Sequence, residues 1–155
     1  MKRQRKIPGM IVEIILEDNA YSYAQVLEDS MAFFALKSEK PLKKNDLLKL
    51  NDSELAFFTT VYDDVITKGH WLKVGKLDIR DDFLELPMKF IQDSISGDFE
   101  LYNPNTGDIT SSTYEECKYL ECAAVWEAEH VEDRLRDYFN NTPNKWVESL
   151  KPIAP

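Results

Sequence analysis

The chain reads as an α+β domain, with a mainly antiparallel β-sheet in the first two-thirds packed against C-terminal α-helices. Three observations predict this. Short apolar, β-branched and aromatic runs separated by polar turns recur between about residues 9 and 111. From 113 to about 151 the apolar spacing changes to that of a helix, with start signals at its head. A length of 155 residues, 43% hydrophobic and 30% charged with five glycines, suits one ordinary domain (1–155) with no linker, repeat or disordered tract.

Residues 10–16 and 21–27 flank the polar turn Glu17-Asp18-Asn19-Ala20 and form a hairpin, the second run alternating Tyr21, Tyr23, Gln25 and Leu27 against Ser22, Ala24 and Val26. The continuous apolar run 31–36 predicts a third, buried strand, completing a meander. Residues 37–51, basic and polar around Pro41, predict a loop with a short helical turn at 46–50. Aromatic and β-branched residues make 54–62 a strand. A loop over 63–70, punctuated by Gly69, leads into the alternating strand 71–77. After Pro87, the segments KFIQ (89–92) and FELY (99–102) predict short strands. Asn103-Pro104-Asn105-Thr106-Gly107 then turns the chain toward Ile109.

Thr113 and Glu116 have capping-box spacing, so a helix is expected to start there and bury Tyr114, Cys117, Leu120 and Ala124. A second helix gathers Ala128, Val131, Leu135, Tyr138 and Phe139 on one stripe, with Glu129, Asp133, Arg136 and Asn140 opposite and Glu132 to Arg136 as an i,i+4 pair. Trp126 would point away from that stripe, which places a break near 125–127. Thr142 with Pro143 predicts the cap of a last short helix burying Trp146, Val147 and Leu150 before Pro152.

The net charge of −9 conceals an asymmetry: Lys2, Arg3, Arg5 and Lys6 lie within six residues, leaving a body of 15 basic against 28 acidic residues. Such a body disfavours direct nucleic-acid binding, which rests on cationic patches, and suits a basic protein partner. Acidity also serves plain solubility. The basic start is followed at once by Pro8 and Gly9 and by no long apolar region, so neither a signal peptide nor a membrane span is expected. Cys117 and Cys122 stand five apart and are read as reduced thiols of a cytoplasmic protein.

Nothing in the sequence assembles a recognisable catalytic constellation. His70 and His130 are sixty residues apart, without metalloprotease, nucleophile-elbow or paired C-x-x-C spacing, and no glycine-rich loop opens a helix to hold phosphate. Asp63-Asp64 and Asp78, Asp81 and Asp82 lack the oxygen spacing of a calcium loop. No cofactor and no metal are expected. Trp71, Trp126 and Trp146 are read as core more than as contact residues.

The words EEC (115–117), AAVWEAEHVEDRLRDYF (123–139) and PNKWVESL (143–150), with KIPG (6–9), YSYAQVL (21–27), ITKGHW (66–71) and KFIQD (89–93), give the chain a resemblance to the immunity protein 26 family of bacterial polymorphic toxin systems. The chain differs at Ser94, where the family wording has proline, and at Asn140-Asn141, where it has a glycine turn. The resemblance implies a cytoplasmic, mostly β domain that binds a cognate toxin, and it transfers no catalytic residues. On this reading the toxin-facing candidates are exposed carboxylates, Asp63 and Asp64, Asp81 and Asp82, or Glu129 and Asp133, with Tyr62 as an aromatic anchor. A toxin acting on nucleic acid would offer them a basic cleft. Two rival readings are a small hydrolase-like enzyme using His130 or His70 with nearby carboxylates, and an adaptor module without a toxin partner.

Overall fold

The computed structural model describes residues 3–155. Its strands are β1 (Met10–Glu17), β2 (Ala20–Val26), β3 (Met31–Ser38), β4 (Leu55–Val61), β5 (Leu72–Lys76), β6 (Lys89–Gln92), β7 (Phe99–Tyr102), β8 (Ile109–Ser112), β9 (Glu121–Cys122) and β10 (Val125–Trp126). The helices are α1 (Asp64–Thr67), α2 (Tyr114–Cys117), α3 (Ala128–Asn140) and α4 (Lys145–Ser149). This is the expected α+β class, with antiparallel-rich sheets leading and helices trailing. The chain gathers into two compact units, one of residues 1–84 and 125–143, the other of 85–124 and 144–155.

The first unit is built on a six-stranded sheet in the order β10-β4-β3-β2-β1-β5. The predicted meander β1 to β4 is there, its first hairpin closing through Asp18-Asn19 with Asn19 at φ 63°, a conformation asparagine tolerates. Both faces are covered, and β4 shows how. Phe57 stacks on Phe33 at 4.9 Å and carries the Arg134 guanidinium of α3 at 3.8 Å, whereas Phe58 meets Phe83 edge to face at 5.6 Å. Adjacent strand residues point to opposite faces, so α3 covers one face and the 3₁₀ turn Asp81–Phe83 the other.

Arg80 ties that turn to the longer 3₁₀ segment Lys44–Asp52 by donating to the carbonyl of Leu50. The longer segment buries Leu47 and Leu50 and comes so close to Gly75 that a Cβ there would lie 2.6 Å from Leu47 Cδ1. Double coverage is why Met31 to Phe34 are all buried, and why the sequence there is continuously apolar instead of alternating. Val131 and Leu135 of α3 are fully buried, and Arg136 donates from Nε and Nη2 to the Leu16 carbonyl at 3.0 and 2.6 Å, fixing α3 to the end of β1.

The second unit holds a four-stranded sheet, β8-β7-β6-β9. Its core is Phe90, Phe99 and Cys117, with Leu101, Tyr114, Leu120 and Cys122 packed around them. The tip between β6 and β7 is closed by Asp93, whose carboxylate accepts the amides of Ile95 and Ser96 at 2.8 Å each; these bonds hold its carboxyl below the usual range. Gln92 clasps the C-terminal tail, donating to the Ile153 carbonyl and accepting its amide.

Several sequence expectations change, among them the burial of Trp146, Val147 and Leu150 around α4, which are only partly covered. Thr113 does cap α2, accepting the Glu116 amide, yet the helix ends after one turn because the chain beyond it enters the sheet. β9 pairs with β6 and the Ala123 amide donates to Phe90. The break before α3 is real, and it is a strand, β10, with the buried Trp126 in register with Val61. Asn144, not Thr142, caps α4 by accepting the Val147 amide. Thr142 instead finishes α3, its amide donating to Asp137 after Asn141 takes the left-handed position (φ 55°) that glycine commonly fills. Finally, the loop 63–70 contains the helical turn α1.

Candidate functional site

Two parallel strands at one edge of the six-stranded sheet position the site. β4 and β10 run side by side, Val61 opposite Trp126, and the Tyr62 amide donates to the Trp126 carbonyl. Each strand is followed immediately by a helix, so α1 and the first turn of α3 begin next to each other. Between them lies an open cleft of about 210 Å³ lined by Asp64, Val65, Lys68, His70, Glu127, Ala128 and Glu129. Three carboxylates face it against one lysine, whose ammonium sits 3.7 Å from Asp64. Glu127 and Glu129 are exposed.

The wall beside the cleft is pinned by Glu132. Its Oε2 accepts the indole N–H of the fully buried Trp71 at 2.9 Å and lies 3.3 Å from His70 Nε2. Trp71 in turn meets Phe33 edge to face. The N-terminal segment braces the other side of α1. Gln4 donates from Nε2 to the carbonyls of Ile66 and Trp71, accepts the Lys73 amide, and gives its own backbone amide to Thr67. Lys6 pairs with Asp63 at 2.7 Å. Arg3, Arg5 and Lys6 thus belong to an ordered strip; Lys2 lies outside the described residues.

Of the residues singled out in the sequence, Asp64 and Glu129 meet across the cleft, with Tyr62 and Asp63 at its edge. Tyr62 is half exposed. Asp133 lies one turn along α3 from Glu129 and pairs with Arg136 at 3.0 Å, tighter than the 4.0 Å between Glu132 and Arg136. Asp81 and Asp82 sit on the opposite face of the sheet, where the Arg80 guanidinium grips both oxygens of Asp82 and holds its carboxyl below the usual range. His130 stands in the first turn of α3, its amide donating to Glu127. Glu127 and Glu132 carry no site signal in the sequence. Glu127 precedes a helix whose start depends on a two-residue strand, and the spacing of Glu132 to Arg136 reads as an i,i+4 ion pair.

Cys117 and Cys122 are both free, and burial pushes the Cys122 thiol up. Among the described residues, no helix is long and apolar enough to cross a membrane and no group of three or more His, Cys, Asp or Glu side chains is placed to hold a metal ion.

Comparison with known proteins finds no significant match among curated proteins or solved structures. The family model described as immunity protein 26 matches residues 7–101, a stretch that takes in β1 to β5, α1 and the β6–β7 hairpin and stops short of the helical tail. More than half of the chain, including one whole wall of the cleft, is therefore covered by a single family pattern: this chain belongs to the immunity protein 26 family.

Proposed function

We propose that this immunity protein neutralises a cognate toxin domain by binding it stoichiometrically, with the acidic cleft between α1 and α3 as the contact surface and without transforming a substrate. The observation that carries this reading is the convergence of Asp64, Glu127 and Glu129 at the ends of two parallel strands. Carboxylates fixed on helices lose little freedom on binding and accept charge-assisted hydrogen bonds from arginine or lysine. The toxin they fit is basic around its own site, as a nuclease that grips phosphate is, and the sign of the charge disfavours nucleic acid itself as a direct ligand. Tyr62 supplies apolar area at the rim, and binding takes place in the cytoplasm before the toxin is delivered.

The test is protection of cells expressing a candidate cognate toxin domain, sought first in the neighbouring open reading frames. Reversing Asp64, Glu127 and Glu129 to lysine should slow association with that domain at least about tenfold and abolish protection. Unfolding free energy should stay within about 1 kcal/mol of the wild type, because the three side chains are exposed. Intact protection with all three reversed would mean that another surface meets the toxin.

The contact between His70 and Glu132 favours a second reading, a small hydrolase with His70 as general base. It is separated by His70→Ala: a binder keeps its partner, whereas an enzyme loses turnover by about 10²-fold or more.

A further inference from the structure

The four-stranded sheet of the second unit ends on β8, and its pairing with β7 fixes which backbone groups of β8 are already bonded. The Asn103 amide donates to the Asp108 carbonyl at 2.9 Å, which sets the phase of the ladder. Thr110 and Ser112 therefore exchange bonds with Leu101 and Phe99, while Ile109 and Ser111 turn their N–H and C=O groups to the open side. Among the described residues nothing bonds those four groups, and Ile109, Thr110 and Ser111 are exposed, Ile109 by 52%. The other sheet edges are closed or too short to pair. β9 and β10 have two residues each; β5 carries Lys73 and Lys76, and Gln4 accepts the Lys73 amide. β8 has no lysine, proline or bulge, the devices that keep a strand from being joined. Its surroundings have one sign: from residue 90 to 117 the chain has six carboxylates, Asp93, Asp98, Glu100, Asp108, Glu115 and Glu116, and no lysine or arginine. Glu100 is in register with the small Ser111, so a long cationic side chain on an added strand has room to pass over Ser111 and reach it.

We propose that β8 takes up an extended, lysine- or arginine-bearing segment of the toxin as an added strand, bonded through the outward groups of Ile109 and Ser111. A second copy of this chain suits the edge poorly, because it would bring the same six carboxylates against these, whereas a basic segment is drawn to them. Backbone bonds hold the segment, and Glu100 selects a cation at the position beside Ser111. The inference rests on toxin binding as the function and is independent of the cleft as the surface.

The experiment follows amide hydrogen exchange in the full chain, alone and saturated with an inactivated toxin domain that it neutralises. The Ile109 and Ser111 amides should exchange freely in the protein alone and slow at least about tenfold in the complex, while Thr110 and Ser112, bonded to β7, are protected in both. Ser111→Pro deletes only an outward N–H, so it should weaken the complex about tenfold and leave Thr110 exchange and the thermal melt as in wild type. Ile109→Lys places a repelling cation on the edge without altering the backbone and should weaken it to a similar degree, which keeps the test open if proline unfolds the strand. Unchanged exchange at Ile109 and Ser111 in the complex overturns the added strand, whatever the cleft variants show. Slowed exchange there, with binding unaffected when Asp64, Glu127 and Glu129 are reversed to lysine, supports the strand and overturns the cleft. Slowing that grows with the concentration of the protein alone gives the edge to a second copy and overturns the toxin segment.

Discussion

Glu132 of α3 keeps only 15% of its side chain exposed, and its contacts show what holds it there. It accepts from Trp71, whose indole has no water to turn to, and stands beside His70 and Arg136. Removing it leaves a buried N–H without an acceptor, a loss that costs roughly 1–3 kcal/mol. Glu132→Ala should therefore lower the unfolding free energy by that amount, read as a lower urea midpoint with an unchanged m-value. Glu132→Gln retains a carbonyl oxygen for the indole and should recover more than half of the loss. Equal losses in both variants would show that the charge, and not the acceptor, is what Trp71 and its neighbours require.

At the scale of elements, α4 offers a direct comparison of two candidate caps. Asn144 accepts the Val147 amide at 2.9 Å, and Thr142 turns back to Asp137. Asn144→Ala should destabilise by about 1 kcal/mol, within the usual range for a lost cap, and Thr142→Ala by clearly less, both read from thermal melts. The reverse order would restore the start expected from Thr142-Pro143. The example shows what was legible. Hairpin β1–β2, the buried run of β3 and the stripe of α3 follow from periodicity, because each spans enough residues to reveal its period. Thr113 was legible as a cap, but the length of α2 was not: nothing local says that the backbone after Leu120 will find Phe90 and leave the helix. Nor can two residues, Val125 and Trp126, display a strand period. The convergence of Asp64 with Glu129 was hidden for the same reason, since it depends on that parallel pairing, although each carboxylate was visible singly as an exposed charge.

For the molecule as a whole, charge is the property most directly tied to the proposed capture of a basic toxin. A net charge of −9 sets up a field that extends about 10 Å from the surface at 0.1 M salt and about 3 Å at 1 M. Steering by that field acts during diffusional approach, before contacts form, so salt should enter through the association rate. Raising sodium chloride from about 0.05 to about 0.5 M should slow association with the toxin domain at least about tenfold, while dissociation changes less than about threefold. Dissociation is governed by pairs already desolvated in the bound cleft, which salt screens weakly. Stopped-flow mixing across that range separates the two rates. A flat association rate would mean that shape and apolar contact, with Tyr62 foremost, select the partner, and that the acidic body serves solubility. A steep dissociation rate with flat association would place the carboxylates at an open, water-filled rim instead of in a closed contact.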